Sequence, residues 1–217
     1  MAKKPTVWAL SPDQDKAEVA QRAIADPVAL ASVVAALAGD DRRLRQFAAS
    51  VVHDIALHEP AMLKPFADDL ADALHRPESQ TRWEVLGVFD KLIAVDARLV
   101  DRALAGAELA LHDEESGTVR LAAFRVMTHY GSTTEHRSER IWPLVAEAVR
   151  CYHGDTEFPA MLSSLYRLTS GNSSDAVKLS AAELMTFDSE FGKGLLKRRA
   201  SRIVECAPKK GRKKKTT

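Results

Sequence analysis

The sequence predicts an all-α chain of stacked helical hairpins. Three observations carry this: an Ala/Leu-rich composition, apolar residues at helical spacing, and a motif that returns every 37 or 38 residues. Of the 217 residues, 46% are hydrophobic but only 6% aromatic. That balance suits helices packed through small and aliphatic side chains better than β-branched sandwich strands. The length suffices for a well-buried core.

The repeat is read by aligning segments on an arginine. Leu44-Arg45-Gln46-Phe47-Ala48 matches Thr81-Arg82-Trp83-Glu84-Val85 and Val119-Arg120-Leu121-Ala122-Ala123. A weaker fourth copy starts at Thr156-Glu157-Phe158-Pro159-Ala160. The spacings from Arg45 to Arg82 to Arg120 to Glu157 are 37, 38 and 37 residues. Positions 3, 6, 7 and 10 after the arginine form the apolar face, in the first copy Ala48, Val51, Val52 and Ile55. This is the periodicity of a helix, not of a strand.

Each such helix follows another, predicted at 27–37, 60–74, 97–111 and 138–152. Pro27 and Pro60 suit first helical turns, where a missing N–H costs little. Short polar joints such as Gly39-Asp40-Asp41 and His153-Gly154-Asp155 force the paired helices antiparallel. In the fourth copy, Glu157 and Pro159 replace the arginine and a helix former, so its second helix is expected to start late, near Pro159. One hairpin cannot bury its apolar face alone, and stacking supplies the continuous core.

The acidic turn followed by apolar-Arg-x-x-Ala, as in Asp40-Asp41-Arg42-Arg43-Leu44-Arg45-Gln46-Phe47-Ala48, resembles the HEAT-repeat (HEAT/armadillo-like α-solenoid) family. The resemblance covers roughly residues 27–170. It implies a right-handed α-α superhelix of about four hairpins with terminal capping helices. Residues 1–10 are expected to be a flexible N-terminus, 11–205 the solenoid, and 206–217 a disordered basic tail. Ser11 is expected to cap a first helix running to about Ile24, with Pro12 in its first turn. One helix is expected from Ser174 to Phe187 and another from Ser189 to Glu205. The repeated Arg45, Arg82 and Arg120 are expected to reach the acidic turn of their own or the next unit, as a structural ladder.

The resemblance also places the second helices on a concave face. Positions 1, 5, 8 and 9 after the reference residue then point outward. They read Gln46, Ser50, His53, Asp54; Trp83, Gly87, Asp90, Lys91; Leu121, Arg125, Thr128, His129; and Phe158, Leu162, Leu165, Tyr166. Binding grooves favour Trp, Tyr and Arg anchors. The candidate partner-binding residues are therefore Trp83, Asp90, Lys91, Arg125, His129 and Asp54. A competing expectation is that Trp83 simply packs into the neighbouring repeat.

Charge is segregated along the chain. From Lys193 onward there are eleven Lys/Arg against Glu205 alone, whereas residues 1–192 carry 20 basic and 29 acidic side chains. Lys209, Lys210, Arg212, Lys213, Lys214 and Lys215 are candidate phosphate contacts for DNA or RNA, with little base specificity. The same tail would also serve solubility, targeting or contact with the acidic body.

No phosphate loop, nucleophile elbow or dinucleotide fingerprint occurs, and the carboxylates fall on predicted turns and helix surfaces. No zinc spacing links the seven histidines. Alkylated-base glycosylases built on HEAT-like repeats use a Trp with an Asp one turn later. Here Gly87 follows Trp83 and Ala146 follows Trp142. The expectation is thus a non-catalytic scaffold for a protein or peptide, with no cofactor, metal or small-molecule substrate. Cys151 and Cys206 fit no disulfide framework, and no signal peptide or membrane-length apolar run occurs, so a cytoplasmic location is expected.

Overall fold

The computed structural model describes residues 8–208. Among them are eleven α-helices, two 3-10 segments and no strand. The chain divides into two compact units, Met1–Tyr130 and Gly131–Thr217.

The first unit holds α1 (Lys16–Ala25), α2 (Pro27–Ala36), α3 (Arg42–His58), α4 (Ala67–Ala73), α5 (Ser79–Asp96), α6 (Leu104–Leu111) and most of α7 (Gly117–Gly131). Helix α3 packs between α1 and α5, while α2 packs against α3 and α4. The second helices thus form one row and the first helices another, as stacked hairpins require. The core lies between the rows. Its residues at positions 3, 6, 7 and 10 after each arginine are 0–1% exposed, including Ile55, Phe89, Met127 and Tyr130. Tyr130 keeps its hydroxyl satisfied by donating to Asp101 Oδ1 at 2.5 Å.

Local chemistry fixes the helix ends. Asp41 accepts from Arg43 N and Leu44 N and starts α3, and Asp26 caps α2 with Pro27 in the first turn. At the N-terminus the expectation fails. Ser11 Oγ accepts from Asp13 N and Gln14 Oε1 accepts from Ser11 N, which closes an isolated turn. Asp15, extended at ψ 124°, caps the helix instead.

The first helix of the second hairpin is broken. Pro60–Phe66 is 3-10 and only Ala67–Ala73 is α, because Pro65 has no N–H to donate and its ring obstructs the preceding turn. The next hairpin repeats the division, with 3-10 geometry at Ala97–Arg102 before α6.

The second unit holds α8 (Glu135–Cys151), α9 (Phe158–Ser170), α10 (Asp175–Phe191) and α11 (Gly194–Val204). Thr134 caps α8 and Ser174 caps α10. The buried Ser138 Oγ donates to Glu135 O and accepts from Ser174 N, tying the start of α8 to that of α10. Helix α9 does start late, at Phe158, with Pro159 in its first turn. This moves its register. Phe158, Leu162 and Leu165, expected outward, are buried, while Ser163 and Arg167 are exposed. Helix α10 runs to Phe191 rather than ending at Phe187. The chain breaks at Gly192 and Lys193, and α11 begins at Gly194, whose φ of 56° favours glycine. Helix α11 packs on α10 and α9. Arg199 donates to Pro159 O, and the Arg202 guanidinium lies 3.9 Å from the Tyr166 ring centroid.

Candidate functional site

The repeated arginines make the ladder. Arg45, 9% exposed, donates from Nη1 to Gly39 O and Asp40 O, each at 2.8 Å, and pairs with Glu78 of the following turn. Arg82 Nη1 lies 2.6 Å from Asp113 Oδ2, again in the following turn. Arg120 Nη1 donates to Asp113 O of its own turn at 2.8 Å. The Arg45 guanidinium holds the Glu78 carboxyl below the ordinary carboxylate range, against the opposing effect of burial.

Beside this ladder the open face of α3, α5 and α7 carries a groove of about 250 Å³, lined by His53, Trp83, Gly87, Asp90, Lys91 and Arg125 among others. Helix α5 supplies Trp83, Gly87, Asp90 and Lys91 from successive turns. Trp83 is half-buried, its indole edge-on to His53 with ring centroids 6.3 Å apart. His53 Nδ1 pairs with the buried Glu84 carboxylate. His129 Nδ1 lies 2.9 Å from Asp90 Oδ1.

Four of the six candidate residues therefore converge: Trp83, Asp90, Lys91 and Arg125. His129 is not among the lining residues but holds Asp90. Asp54 does not line it and lies 3.8 Å from Lys16 Nζ. Thr128, expected outward, is buried and donates back to Phe124 O at 2.7 Å. The tail residues Lys209, Lys210, Arg212, Lys213, Lys214 and Lys215 lie outside the described residues.

Sequence reasoning missed Glu84, which occupies position 2 of the second copy and anchors His53. The signal lay in its spacing of 31 residues from His53, but only stacking brings the two together. No group of three or more His, Cys, Asp or Glu suited to a metal ion occurs among the described residues. No helix there is long and apolar enough to cross a membrane.

Gly87 makes room for the histidine. A Cβ at this position would stand 2.6 Å and 2.7 Å from His53 Nε2 and Cε1. Gly87→Ala brings better helix propensity, about 1 kcal/mol. Displacing His53 leaves Glu84 unpaired, which costs about 2 kcal/mol. A net loss of about 1 kcal/mol is expected in thermal or urea unfolding. In a His53→Ala background the same substitution should be neutral or stabilising, which a double-mutant cycle measures.

Neither a family model nor a curated protein matches the sequence. Solved structures do match the fold. A designed armadillo repeat protein in complex with the peptide (KR)4 superposes with a TM-score of 0.74 at 14% identity, over 89% of this chain and 90% of that one. Computationally designed armadillo repeat proteins for modular peptide recognition give 0.70 at 12% identity, over 89% and 92%. The archaeal HEAT-like repeats protein from Thermococcus onnurineus NA1 gives 0.54 at 11% identity, over 90% and 93%. With its hairpin rows, arginine ladder and these structural likenesses, the chain has the all-α HEAT/armadillo-like solenoid repeat fold.

Proposed function

We propose that this protein is a non-catalytic scaffold that binds a protein or peptide along the second-helix face, at the groove centred on Trp83. The observation that carries the reading is an aromatic wall beside two cations, Lys91 and Arg125, whose side chains make no hydrogen bond or ion pair among the described residues. A groove of about 250 Å³ falls below the ~300–1,000 Å³ usual for small-molecule pockets. It fits one side chain of a longer ligand better than a whole metabolite. Peptide binding by designed armadillo repeat proteins of this fold supports the same reading.

Trp83→Ala tests it. A half-buried indole on the open face of the stack contributes modestly to folding, whereas an aromatic anchor at the centre of an interface carries 2 kcal/mol or more, roughly thirtyfold in affinity. The expected outcome is a set of captured proteins, identified by mass spectrometry, that is lost in Trp83→Ala while the thermal midpoint stays within a few degrees. Collapse of the fold, or capture unchanged by the substitution, would count against the groove.

A second reading is nucleic-acid contact through the tail, favoured by the eleven Lys/Arg from Lys193 onward. Two of these, Arg199 and Arg202, are turned onto α9 and engaged there. Nuclease treatment in the capture experiment separates the readings, because phosphate contacts vanish with the nucleic acid and weaken steeply with salt.

A further inference from the structure

We infer that the groove takes an extended acidic peptide, with an apolar side chain against Trp83 and carboxylates on Lys91 and Arg125. This deepens the peptide-binding reading above and rests on it. One acid lines the groove, Asp90, and a second, Glu84, pairs with its lining residue His53. Glu84 is buried beneath His53 and paired with it, and Asp90 meets His129. The two cations point the other way. Arg125 is exposed, Lys91 is half-buried, and neither side chain meets an acid among the described residues. Helix α7, which supplies Arg125, contains no Asp or Glu from Gly117 to Gly131. The charged side chains at the groove left without a hydrogen-bond or ion-pair partner among the described residues are thus the two cations.

That distribution of charge decides between occupants. A basic peptide, such as the (KR)4 held by the designed armadillo protein, would face two uncompensated cations and find both acids engaged. The same repulsion works against the chain's own basic tail as occupant. An acidic peptide finds charge-assisted donors on both sides of an apolar wall. In an extended segment, residues two apart share a face, so an apolar residue can meet Trp83 while carboxylates two positions away meet the cations of the same groove. The acidic excess of residues 1–192 opposes the approach of such a ligand. Screening over ~8 Å at physiological salt confines that opposition to near charges, and the near free charges are Lys91 and Arg125.

The test uses the full chain and two short fluorescein-labelled peptides, one repeating Glu-Ser-Val-Ser and the other Lys-Ser-Val-Ser, so that the charged and apolar residues share a face, in fluorescence polarisation at physiological salt. Saturable binding of the Glu peptide is expected, with little binding of the Lys peptide. Lys91→Gln with Arg125→Gln should weaken the Glu peptide about tenfold or more while leaving the thermal midpoint unchanged, since neither side chain holds another. Trp83→Ala should weaken it as well. Tighter binding of the Lys peptide, or no saturation by either, overturns the inference. So does unchanged affinity in the Lys91/Arg125 variant. If Trp83→Ala still weakens binding in that case, the peptide groove stands and only its acidic preference falls. A duplex oligonucleotide that displaces the Glu peptide from wild type, yet binds the Lys91/Arg125 variant about tenfold less, would assign these cations to phosphate and overturn it too.

Discussion

Arg45→Ala is expected to cost about 3 kcal/mol, because it strands a buried carboxylate. Glu78 is 5% exposed and Arg45 is 9% exposed. The guanidinium also satisfies Gly39 O and Asp40 O, so its loss leaves two carbonyls at the hairpin turn without that donor. In a chain of this size the change corresponds to a fall in unfolding midpoint of roughly 10 °C. Hydrogen exchange should place the loosening in α3 and the start of α5. Glu78→Gln keeps the shape but not the charge, and should cost less than Arg45→Ala. A variant within about 0.5 kcal/mol of wild type would show that water replaces the pair at no cost.

The pair also carries a pH dependence. Arg45's hydrogen bond holds the folded Glu78 carboxyl below its ordinary value of 4.5. A carboxylate with a depressed folded pKa adds stability above its unfolded pKa and loses it as pH falls through the folded value. Wild-type stability is therefore expected to decline from about pH 4.5 downward. In Glu78→Gln that part of the decline should be missing. Equal slopes in acid for the two proteins would remove Glu78 from the account.

Asp113→Ala is expected to lose a comparable amount, again about 3 kcal/mol, from three separate contacts. Its Oδ2 pairs with Arg82 at 2.6 Å, and its Oδ1 accepts from Glu115 N at 3.1 Å and Ser116 N at 2.7 Å. One residue thus receives the preceding unit's arginine and shapes the turn that starts α7. Asp113→Asn separates the roles. An amide oxygen still accepts from the two backbone N–H groups, but the ion pair with Arg82 is gone. The Asn variant should recover about 1 kcal/mol relative to Ala in urea unfolding. Were Asn as damaging as Ala, the turn contacts would contribute little and the ion pair would carry the effect.

The arginine ladder was legible because its periodicity is a local property written in one dimension. The first three copies each place an arginine three residues before the apolar face. The turn that follows is acidic in every joint, so the pairing partner's class was also readable. The fourth copy shows where this fails. Glu157 aligned with the arginines by spacing, yet Pro159 and the start at Phe158 shift the buried face, so that Leu162 and Leu165 face inward. Repeat spacing fixes where a helix recurs, whereas its first turn fixes which face it presents. The same competition put the first cap at Asp15 rather than Ser11, since Ser11's bonds close within one turn.

The groove was half legible. Trp83, Asp90, Lys91 and Arg125 shared predicted outward positions, and the stack brings them to one depression. Pattern could not say which of them were free. Asp54, outward by position, reaches Lys16 instead, and Asp90 is held by His129.

By itself the sequence determined the all-α class, the hairpin period, the core positions and the ladder. Each follows from spacing along the chain and the need to bury one helical face. Only the tertiary structure decided which charged side chains at the groove are already paired. Whether an acid or a cation meets a ligand depends on partners 31 and 39 residues away, His53 for Glu84 and His129 for Asp90. Those distances close only when neighbouring hairpins stack, because an ion pair forms between surfaces and not along a chain.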